Sequence, residues 1–330
     1  MDDGAEVPCV RVPREDGERT RRALAEADLV DDGFEITVED GWLYVPVTDP
    51  RAVPGEFAVV THEVPVRRTQ TTPAELLGYE PSFERLGTIA LVDEDDAERA
   101  AEIADAIVRS DLPIETVLNK ASKVKGETRV REWDVLAGEG TETVHREYGC
   151  AFELDLAEVY FSPRLATDRH RVAQGVEPDE RAFDMFAGVG PFVIPFAKRG
   201  ATCVGVDLND RAIEYLRRNA RRNGVTDRVT AIHADVRQVV PDYEGWADRI
   251  VMNLPHSAGE FLESAVSIAG EDCVVHYYDI QSDDDPFGPG ERAIREAAEP
   301  TYDVEIEDRR VVRSYAPHES NVRLDARLCR

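Results

Sequence analysis

Acidic and glycine residues follow short apolar runs at three places in the second half of the chain. The first run ends in Asp184 and leads into a loop that holds Gly188 and Gly190. The next two runs end in Asp207 and Asp235. Because the carboxyl ends of parallel strands meet at one edge of a sheet, these residues are expected to line one crevice. Nucleoside-bearing ligands bind at that place in a doubly wound fold.

The chemistry of these loops favours an adenosine with a positively charged tail over a dinucleotide. Glycines let a ligand approach the backbone closely, but Val193 replaces the third glycine of the dinucleotide fingerprint. Asp184 repels phosphate and suits a cation, Asp207 is placed to accept hydrogen bonds from ribose hydroxyls, and Asp235 faces an adenine amino group. These features predict S-adenosylmethionine as the cofactor. An NAD-type or purely structural Rossmann unit is the alternative.

A fourth loop, Asn253–His256, follows the apolar run Arg249–Met252. An Asn-x-Pro turn at this place is typical of methyltransferases that act on planar amides or amines, because the rigid turn presents oxygens to the N–H edge of a flat base. A simple strand-ending turn is the structural alternative. His256 is a candidate base, although a solvated or packed imidazole is the favoured interpretation.

The composition indicates a cytoplasmic protein of two or three domains. The chain has 330 residues, of which 42% are hydrophobic. No apolar run approaches the ~18–20 residues of a membrane span, and the acidic start is not a signal peptide. Five cysteines are scattered without metal or redox spacing, which predicts reduced thiols and no metal site.

The net charge argues at first against a nucleic-acid partner. There are 39 basic and 67 acidic residues, giving a formal charge of −28, and an acidic protein repels polyanions. Only four lysines occur, however, and acidic residues spread over the whole chain, as in proteins of salt-in halophiles. Because charges are screened within ~3 Å at 1 M salt, the position of the positive charges is the better guide.

Those positive charges are clustered. Residues 119–131 carry five basic residues and one acidic residue, which predicts contact with a polyanion; a solvated face is the alternative. The five are Lys120, Lys123, Lys125, Arg129 and Arg131. A second cluster surrounds Asp168 and includes Arg164 and Arg171. A third, on the helix after Asp207, is more simply a solvated helix face with pairs such as Glu214–Arg218.

The pattern of apolar runs and breaks predicts three parts. Residues 1–65 form a small α+β domain, residues 70–168 a middle α+β domain, and residues 169–330 an α/β domain of doubly wound, Rossmann-like class I methyltransferase type. Its mostly parallel sheet is expected to end in an antiparallel hairpin of Val311–Tyr315 and Val322–Leu328. Strands in this arrangement bring the four loops to one edge.

Three segments in combination resemble the archaeal and eukaryotic tRNA (guanine-37-N1)-methyltransferases, with the composition of a haloarchaeal member. They are Tyr160–Arg169, Asp184–Phe192 and Met252–Pro255; Arg129–Glu132 and Leu136–Glu139 are also similar. The resemblance covers the whole chain. It implies an N-terminal domain that checks the outer corner of tRNA, a middle RNA-binding domain, S-adenosylmethionine as methyl donor, and a monomer without an obligatory protein partner.

The resemblance also implies a mechanism. Guanine N1 carries a proton and becomes nucleophilic when a carboxylate removes it, while a positive donor near O6 stabilises the charge. The family has Glu as this base, and the position here is Asp168, which is shorter by one methylene. Arg129, or Arg131 by a small alignment shift, is the O6 partner. Asn253 holds the guanine edge near the methyl donor, and Pro255 makes its turn rigid.

Further roles follow from the same resemblance. The implied cofactor contacts are Arg169, Asp184, Gly188, Gly190, Asp207, Leu208, Asp235, Val236, Asn253 and Pro255. The implied RNA contacts are Lys120, Lys123, Lys125, Arg131 and Arg164. For Asp168 the alternative to a base is an ion pair with Arg164 or Arg171.

Three other functions remain open at this point. A related wybutosine-pathway aminocarboxypropyl transferase has the same fold and cofactor but transfers another group. Some family members also methylate a guanosine-derived base at position 37. A non-catalytic RNA-binding module is the third alternative, against which all four ligand loops are intact.

Overall fold

The computed structural model describes residues 4–67, 70–121, 131–299 and 301–330. The chain divides into two compact units, Met1–Thr71 and Thr72–Arg330. Within the described residues, no helix is both long and apolar enough to cross a membrane.

The first unit is an antiparallel sheet with one helix. Its elements are β1 (Gly4–Pro13), α1 (Gly17–Glu26), β2 (Thr37–Glu39), β3 (Trp42–Pro46) and β4 (Ala58–Pro65). The strand order is β2-β3-β1-β4. Leu24 of the helix packs with Val10 and Val45 of the sheet in a small core. The turn between β2 and β3 lies at Asp40 and Gly41, which both have positive φ.

The second unit begins with a four-stranded sheet and a separate hairpin. The elements are α2 (Pro73–Leu77), β5 (Phe83–Leu86), β6 (Ile89–Val92), α3 (Ala97–Arg109), β7 (Thr116–Lys120), β8 (Trp133–Ala137), β9 (Glu142–Glu147) and β10 (Cys150–Asp155). Asp96 caps α3 by accepting from the N–H groups of Glu98 and Arg99. Strands β9 and β10 pair antiparallel around Tyr148 and Gly149, as the alternation predicts.

A seven-stranded sheet forms the rest of the second unit. Its strands are β11 (Arg181–Asp184), β12 (Thr202–Asp207), β13 (Val229–His233), β14 (Ala247–Met252), β15 (Ala269–Ser282), β16 (Asp303–Ala316) and β17 (Glu319–Cys329). The helices are α4 (Ala166–Gln174), α5 (Val193–Lys198), α6 (Asp210–Arg222), α7 (Val236–Val239), α8 (Leu262–Ile268) and α9 (Gly288–Ala298). The order β13-β12-β11-β14-β15-β17-β16 is parallel up to β15 and antiparallel beyond it.

Apolar side chains cover both faces of this sheet, as a parallel sheet requires. One core contains Phe192 at the start of α5, Phe196 of α5 and Leu216 of α6. The other contains Ile268 of α8 and Ile294 of α9. The predicted doubly wound, Rossmann-like fold class is confirmed by this topology.

The C-terminal hairpin is longer than its sequence pattern predicts. Strands β16 and β17 leave only Pro317 and His318 as the turn between them, because polar residues alternate with apolar ones well beyond the predicted bounds. The strand order reverses its direction between β11 and β14, where Asp184 lies opposite Val251. Ligands of open α/β sheets bind at such a switch point, outside the carboxyl ends of the strands.

Candidate active site

The glycine loop after β11 is shaped by tight packing. Gly190 has φ +94°, and a Cβ there would lie 2.4 Å from Leu216 Cδ1, so a side chain would displace α6. Gly188 has φ +52°, and a Cβ there would meet nothing within 4 Å. The loop therefore closes against the helix at Gly190 and leaves open space at Gly188, where a ligand can approach the backbone.

Asp184 is buried with one oxygen unsatisfied. The residue is 3% exposed, and its Oδ1 accepts from the Phe186 N–H at 3.1 Å. Its Oδ2 is buried without a hydrogen-bond partner among the residues that the structure describes. Burial raises the pKa of Asp184 to about 7, and the nearby Asp207 charge adds to this rise. A positively charged group would relieve both effects.

Asn253, at the end of β14, also has a buried oxygen without a partner in the described part of the chain. The turn that follows it is closed by the Ser257 and Ala258 N–H groups, which donate to Leu254 O. His256 has φ +85°, and its Nε2 lies 3.2 Å from the Tyr315 hydroxyl of the C-terminal hairpin. The turn is thus fixed while the Asn253 oxygen stays available.

Asp207 links the glycine loop to the end of β12. Its Oδ2 accepts from the Gly188 N–H at 2.7 Å and its Oδ1 from the Asn209 N–H at 2.9 Å. Burial raises the pKa of Asp207, although these backbone donors oppose the rise. A carboxylate has about four lone-pair sites, so this geometry keeps acceptors for the predicted ribose hydroxyls.

The other predicted cofactor contacts, Asp235, Leu208 and Val236, differ in their hydrogen-bond partners and in their exposure. Asp235 caps α7 through the Arg237 N–H at 3.0 Å. Its carboxylate also pairs with the Arg237 guanidinium, which lowers the pKa of Asp235. Leu208 is 48% exposed, whereas Val236 is buried in the core. Leu208 therefore offers an apolar surface at this edge, and Val236 anchors the helix below it.

Asp168 lies in the first turn of α4 and is 6% exposed. Its Oδ2 accepts from the Tyr278 hydroxyl at 2.7 Å, and its Oδ1 accepts from Arg323 Nη1 at 2.5 Å. Arg171 Nη1 is farther away, at 3.9 Å. The carboxylate is therefore held by two strands of the C-terminal half, β15 and β17.

The predicted alternative for Asp168 was an ion pair with Arg164 or Arg171. The pair with Arg171 forms at 3.9 Å, whereas Arg164 pairs with Glu84 of β5 instead. Lys120 shares that carboxylate at 3.8 Å and lies 2.6 Å from Asp93. Lys120 and Arg164, two of the five basic residues that are predicted to contact RNA, are thus already paired with acidic neighbours.

The remaining predicted RNA contacts are only partly described. Arg131 lies over the Trp133 ring, 5.5 Å from its centroid. Lys123, Lys125 and Arg129 lie outside the described residues. The choice between Arg129 and Arg131 as the O6 partner therefore stays a prediction.

Arg169 makes protein contacts instead of projecting from the loop edge. It is 3% exposed, its guanidinium donates to both oxygens of Glu147 at 2.8 and 2.7 Å, and Nη1 donates to Ser162 O at 3.0 Å. These bonds join α4 to the β9–β10 hairpin. The predicted contact of Arg169 with the cofactor stays a prediction.

Three arginines of α6 form ion pairs, but not the predicted one. Arg218 and Arg222 both bind Glu153 of β10, at 3.1 and 2.5 Å. Glu214 pairs with Arg211 instead of Arg218. The helix face is therefore anchored to the hairpin, because a carboxylate on another element offers these arginines a better geometry than the i,i+4 position.

The Asp168 cluster adjoins the glycine loop. The ring of Tyr278 lies 5.7 Å from the ring of Phe192, which follows that loop. Tyr278 itself comes directly after Tyr277, whose Cα pairs with that of Met252, immediately before Asn253. Tyr278 and Arg323 were not predicted as site residues from the sequence. Polar residues at alternate positions of buried strands were the signal that could have found them.

Comparison with known proteins finds three family domains that match successive segments of the chain. Residues 143–307 match the TRM5/TYW2 methyltransferase domain. Residues 9–53 match the tRNA methyltransferase 5 N-terminal domain, and residues 69–141 match the TYW2 N-terminal domain.

Three relatives illustrate the relationship. The tRNA (guanine(37)-N(1))-methyltransferase Trm5b of Pyrococcus abyssi is 42% identical over 97% of this chain and 98% of its own length. The tRNA(Phe) (4-demethylwyosine(37)-C(7)) aminocarboxypropyltransferase of Pyrococcus horikoshii is 34% identical over 78% of this chain and 92% of its own. A solved complex of aTrm5 and tRNALeu superposes with a TM-score of 0.73 at 33% identity, covering 97% of this chain and 99% of that one. The chain belongs to the TRM5/TYW2 methyltransferase family.

Proposed function

We propose that this protein transfers the methyl group of S-adenosylmethionine to N1 of guanosine 37 in tRNA. The observation that carries the proposal is the length of the similarity. The Pyrococcus abyssi methyltransferase aligns with 97% of the chain, including the N-terminal unit. The aminocarboxypropyltransferase of Pyrococcus horikoshii aligns with only 78% of the chain, although the alignment includes 92% of its own length.

The loops at the switch point suit the cofactor. S-adenosylmethionine supplies an electrophilic methyl group on a positively charged sulfur and an adenosine with free ribose hydroxyls. The unsatisfied oxygen of Asp184 favours a cation, the Asp207 carboxylate is placed for the ribose, and exposed Leu208 can cover the adenine. Open space at Gly188 allows close approach to the backbone.

The residues around Asp168 suit the removal of the guanine N1 proton. Tyr278 and Arg323 each bind one oxygen of the carboxylate, which leaves a second lone pair on each oxygen to accept a proton. The hydrogen bonds hold the shorter Asp side chain in a fixed direction. Proton removal by a positioned carboxylate contributes typically about 100- to 10,000-fold to a rate.

Asn253 and an arginine complete the proposed acceptor site. The free Oδ1 of Asn253 can accept from the guanine N–H edge beside the methyl donor, and Pro255 restricts the turn. Arg129 or Arg131 stabilises the negative charge that develops on O6 when the N1 proton leaves.

Each of the three predicted domains then has a separate role in this reaction, which takes place in the cytoplasm. Residues 1–65 recognise the outer corner of the tRNA, residues 70–168 bind RNA through the 119–131 cluster, and residues 169–330 hold the cofactor. Because the protein is strongly acidic, with a formal charge of −28, concentrated salt is the expected working condition.

Methyl transfer to two tRNA transcripts tests the function. The purified chain in high salt is expected to methylate a transcript with G37 and to leave the same transcript with A37 unmodified. Nuclease digestion and mass spectrometry identify the product as 1-methylguanosine. Equal activity on both transcripts, or none on G37, contradicts the proposal.

The match of residues 69–141 to the TYW2 N-terminal domain favours aminocarboxypropyl transfer as the second candidate. Digestion of a tRNA that carries 4-demethylwyosine at position 37, incubated beside the G37 transcript, decides, because an aminocarboxypropyl product is heavier than a methylated one. A transferred aminocarboxypropyl group, with no methylation of G37, would establish the second candidate instead.

A further inference from the structure

Arg323 is a buried arginine that lies within ion-pair distance of three carboxylates. Its side chain is 2% exposed, its Nη1 donates to Asp168 at 2.5 Å and its Nη2 donates to Asp308 at 3.0 Å. Its Nε lies 2.8 Å from Asp325 Oδ1 without hydrogen-bond geometry. A guanidinium is planar and rigid, so these three distances fix the carboxylates relative to one another. The pair with Asp168 joins residues 155 positions apart.

The Asp325 oxygen that faces Arg323, Oδ1, is also bound by a neutral histidine. His276 Nε2 lies 2.7 Å from Arg249 Nη1, and His276 Nδ1 lies 2.7 Å from Asp325 Oδ1. Because a guanidinium only donates, Nε2 accepts and the Nδ1–H donates to Asp325. Burial lowers the pKa of His276, in agreement with a neutral ring. The positive charge of Arg249 is itself compensated by Glu180, at 2.8 Å.

Two more arginines and one hydroxyl complete the surroundings. Asp168 faces the Tyr278 hydroxyl on β15 and, at 3.9 Å, Arg171 on its own helix. Asp308 on β16 faces Arg310 at 3.6 Å. Arg323 is therefore shared among three anions, whereas Asp168 has no other cation within 3.5 Å among the described residues.

We propose that Arg323 is a positioning residue for methyl transfer and that Asp308 and Asp325 compete for its charge, which keeps Asp168 able to accept a proton. The inference rests on the proposed function of Asp168. An arginine paired with Asp168 alone would favour the ionised carboxylate and weaken it as a base. When Asp308 and Asp325 share the guanidinium, its hydrogen bond still orients the Asp168 carboxylate. The weakening of Asp168 as a base is then smaller.

The first experiment separates positioning from stability. Arg323→Gln is expected to lower the single-turnover methylation rate about 100-fold, because a small misplacement of a reacting group has an effect of that size. Arg323→Lys retains the charge without the planar fork, so it is expected to recover part of the rate. Cofactor affinity should change less than about twofold in both variants.

Arg327→Gln is the matched control. Arg327 is on the same strand and also binds two carboxylates, Glu307 and Asp272, but it has no contact with Asp168. Its single-turnover rate should equal that of the wild type. Thermal unfolding of all variants shows which ones are folded.

The second experiment tests the sharing of charge with a half-exposed residue. Asp308→Asn keeps an acceptor for Arg323 but removes a negative charge, so the Asp168 carboxylate becomes harder to protonate. The acid limb of the single-turnover pH profile is expected to move to lower pH, and the plateau to fall about twofold. A limb that stays in place or moves to higher pH would overturn the sharing of charge.

Crystal structures distinguish failure of this inference from failure of the proposed function. If Arg323→Gln leaves the Asp168 carboxylate in its wild-type position, or if its rate stays within about twofold of wild type, the positioning role is wrong. If the wild type does not methylate G37 but the carboxylate shifts in the variant, the structural role holds and the proposed function fails.

Discussion

The two halves of the candidate site differ in whether their buried polar atoms have hydrogen-bond partners. At the switch point, Asp184 Oδ2 and Asn253 Oδ1 are buried without partners among the described residues. At the C-terminal strands, both oxygens of Asp168 are bound, by Tyr278 and Arg323. An unpaired buried oxygen costs about 1–3 kcal/mol, so the first half carries a cost that a ligand can remove.

This difference indicates that a ligand completes the hydrogen bonding at the switch point. The Asp168 half is already organised without a ligand. The switch-point oxygens are stabilised when a cation and an N–H edge arrive, so binding energy should depend strongly on them. Asp168 is already oriented, so its loss should affect turnover more than binding. The predictions below test that division, beginning with the largest effect.

Replacing Asp168 tests the preorganised half. Asp168→Asn removes the proposed proton acceptor, and methyl transfer is expected to fall about 100- to 10,000-fold. The dissociation constant for S-adenosylmethionine should remain nearly unchanged, because both Asp168 oxygens are bound by Tyr278 and Arg323 and Asp168 is not among the predicted cofactor contacts. Single-turnover kinetics with G37 tRNA and calorimetric titration measure the two quantities.

Asp248→Asn is the control for losing an aspartate–arginine pair in the same sheet. Asp248 binds Arg181 at 2.6 Å, near the amino end of β14 and away from the site. Its methylation rate is expected to match the wild type. Unchanged turnover in Asp168→Asn would transfer the proposed base to another residue, with His256 as the next candidate.

Replacing Asp184 tests the half that is completed by ligand. Asp184→Asn removes a negative charge from the unsatisfied position, and a charged hydrogen bond contributes about 1.5–3 kcal/mol. The affinity for S-adenosylmethionine should therefore fall about 10- to 100-fold. 5′-Methylthioadenosine carries no positive tail, so its affinity should change much less. Equal losses for the two ligands would show that Asp184 does not select a cation.

The affinity for S-adenosylmethionine should also depend on pH. Burial raises the pKa of Asp184 to about 7 in the free protein, and a bound cation favours the ionised form. Binding below that pH must displace a proton, so the affinity is expected to fall by up to about tenfold per pH unit below about 7 and to level off above it. Titrations at several pH values, with 5′-methylthioadenosine as the neutral reference, measure this slope.

The parts of the site that follow from local sequence were predictable. The run from Phe183 to Phe192 contains the strand end, the carboxylate and both glycines within a few residues, and the structure places them as the pattern indicates. The β9–β10 hairpin was equally clear because its alternation and its Tyr148-Gly149 turn lie together. In these cases the hydrophobic period and the turn residues determine the local structure.

The partners of Asp168 were not predictable in the same way. Tyr278 and Arg323 lie 110 and 155 residues away along the chain. The strand pattern indicates which residues share a face, but not which side chain of another element meets them. The same limit explains Arg169, whose chemistry suggested a ligand contact, whereas Glu147 of a distant hairpin binds its guanidinium.

The smallest expected effect concerns a basic residue whose charge is already paired. Lys120 lies 2.6 Å from Asp93 and 3.8 Å from Glu84, so its contact with a phosphate would require one of these pairs to open. Lys120→Gln is therefore expected to weaken tRNA binding only about two- to fivefold and to reduce the salt slope by less than about one. The double variant D93N/E84Q frees both Lys120 and Arg164 and should strengthen binding. A large loss in Lys120→Gln would show that tRNA releases the lysine on binding, and the contrast between paired and unpaired groups would then not extend to the RNA surface.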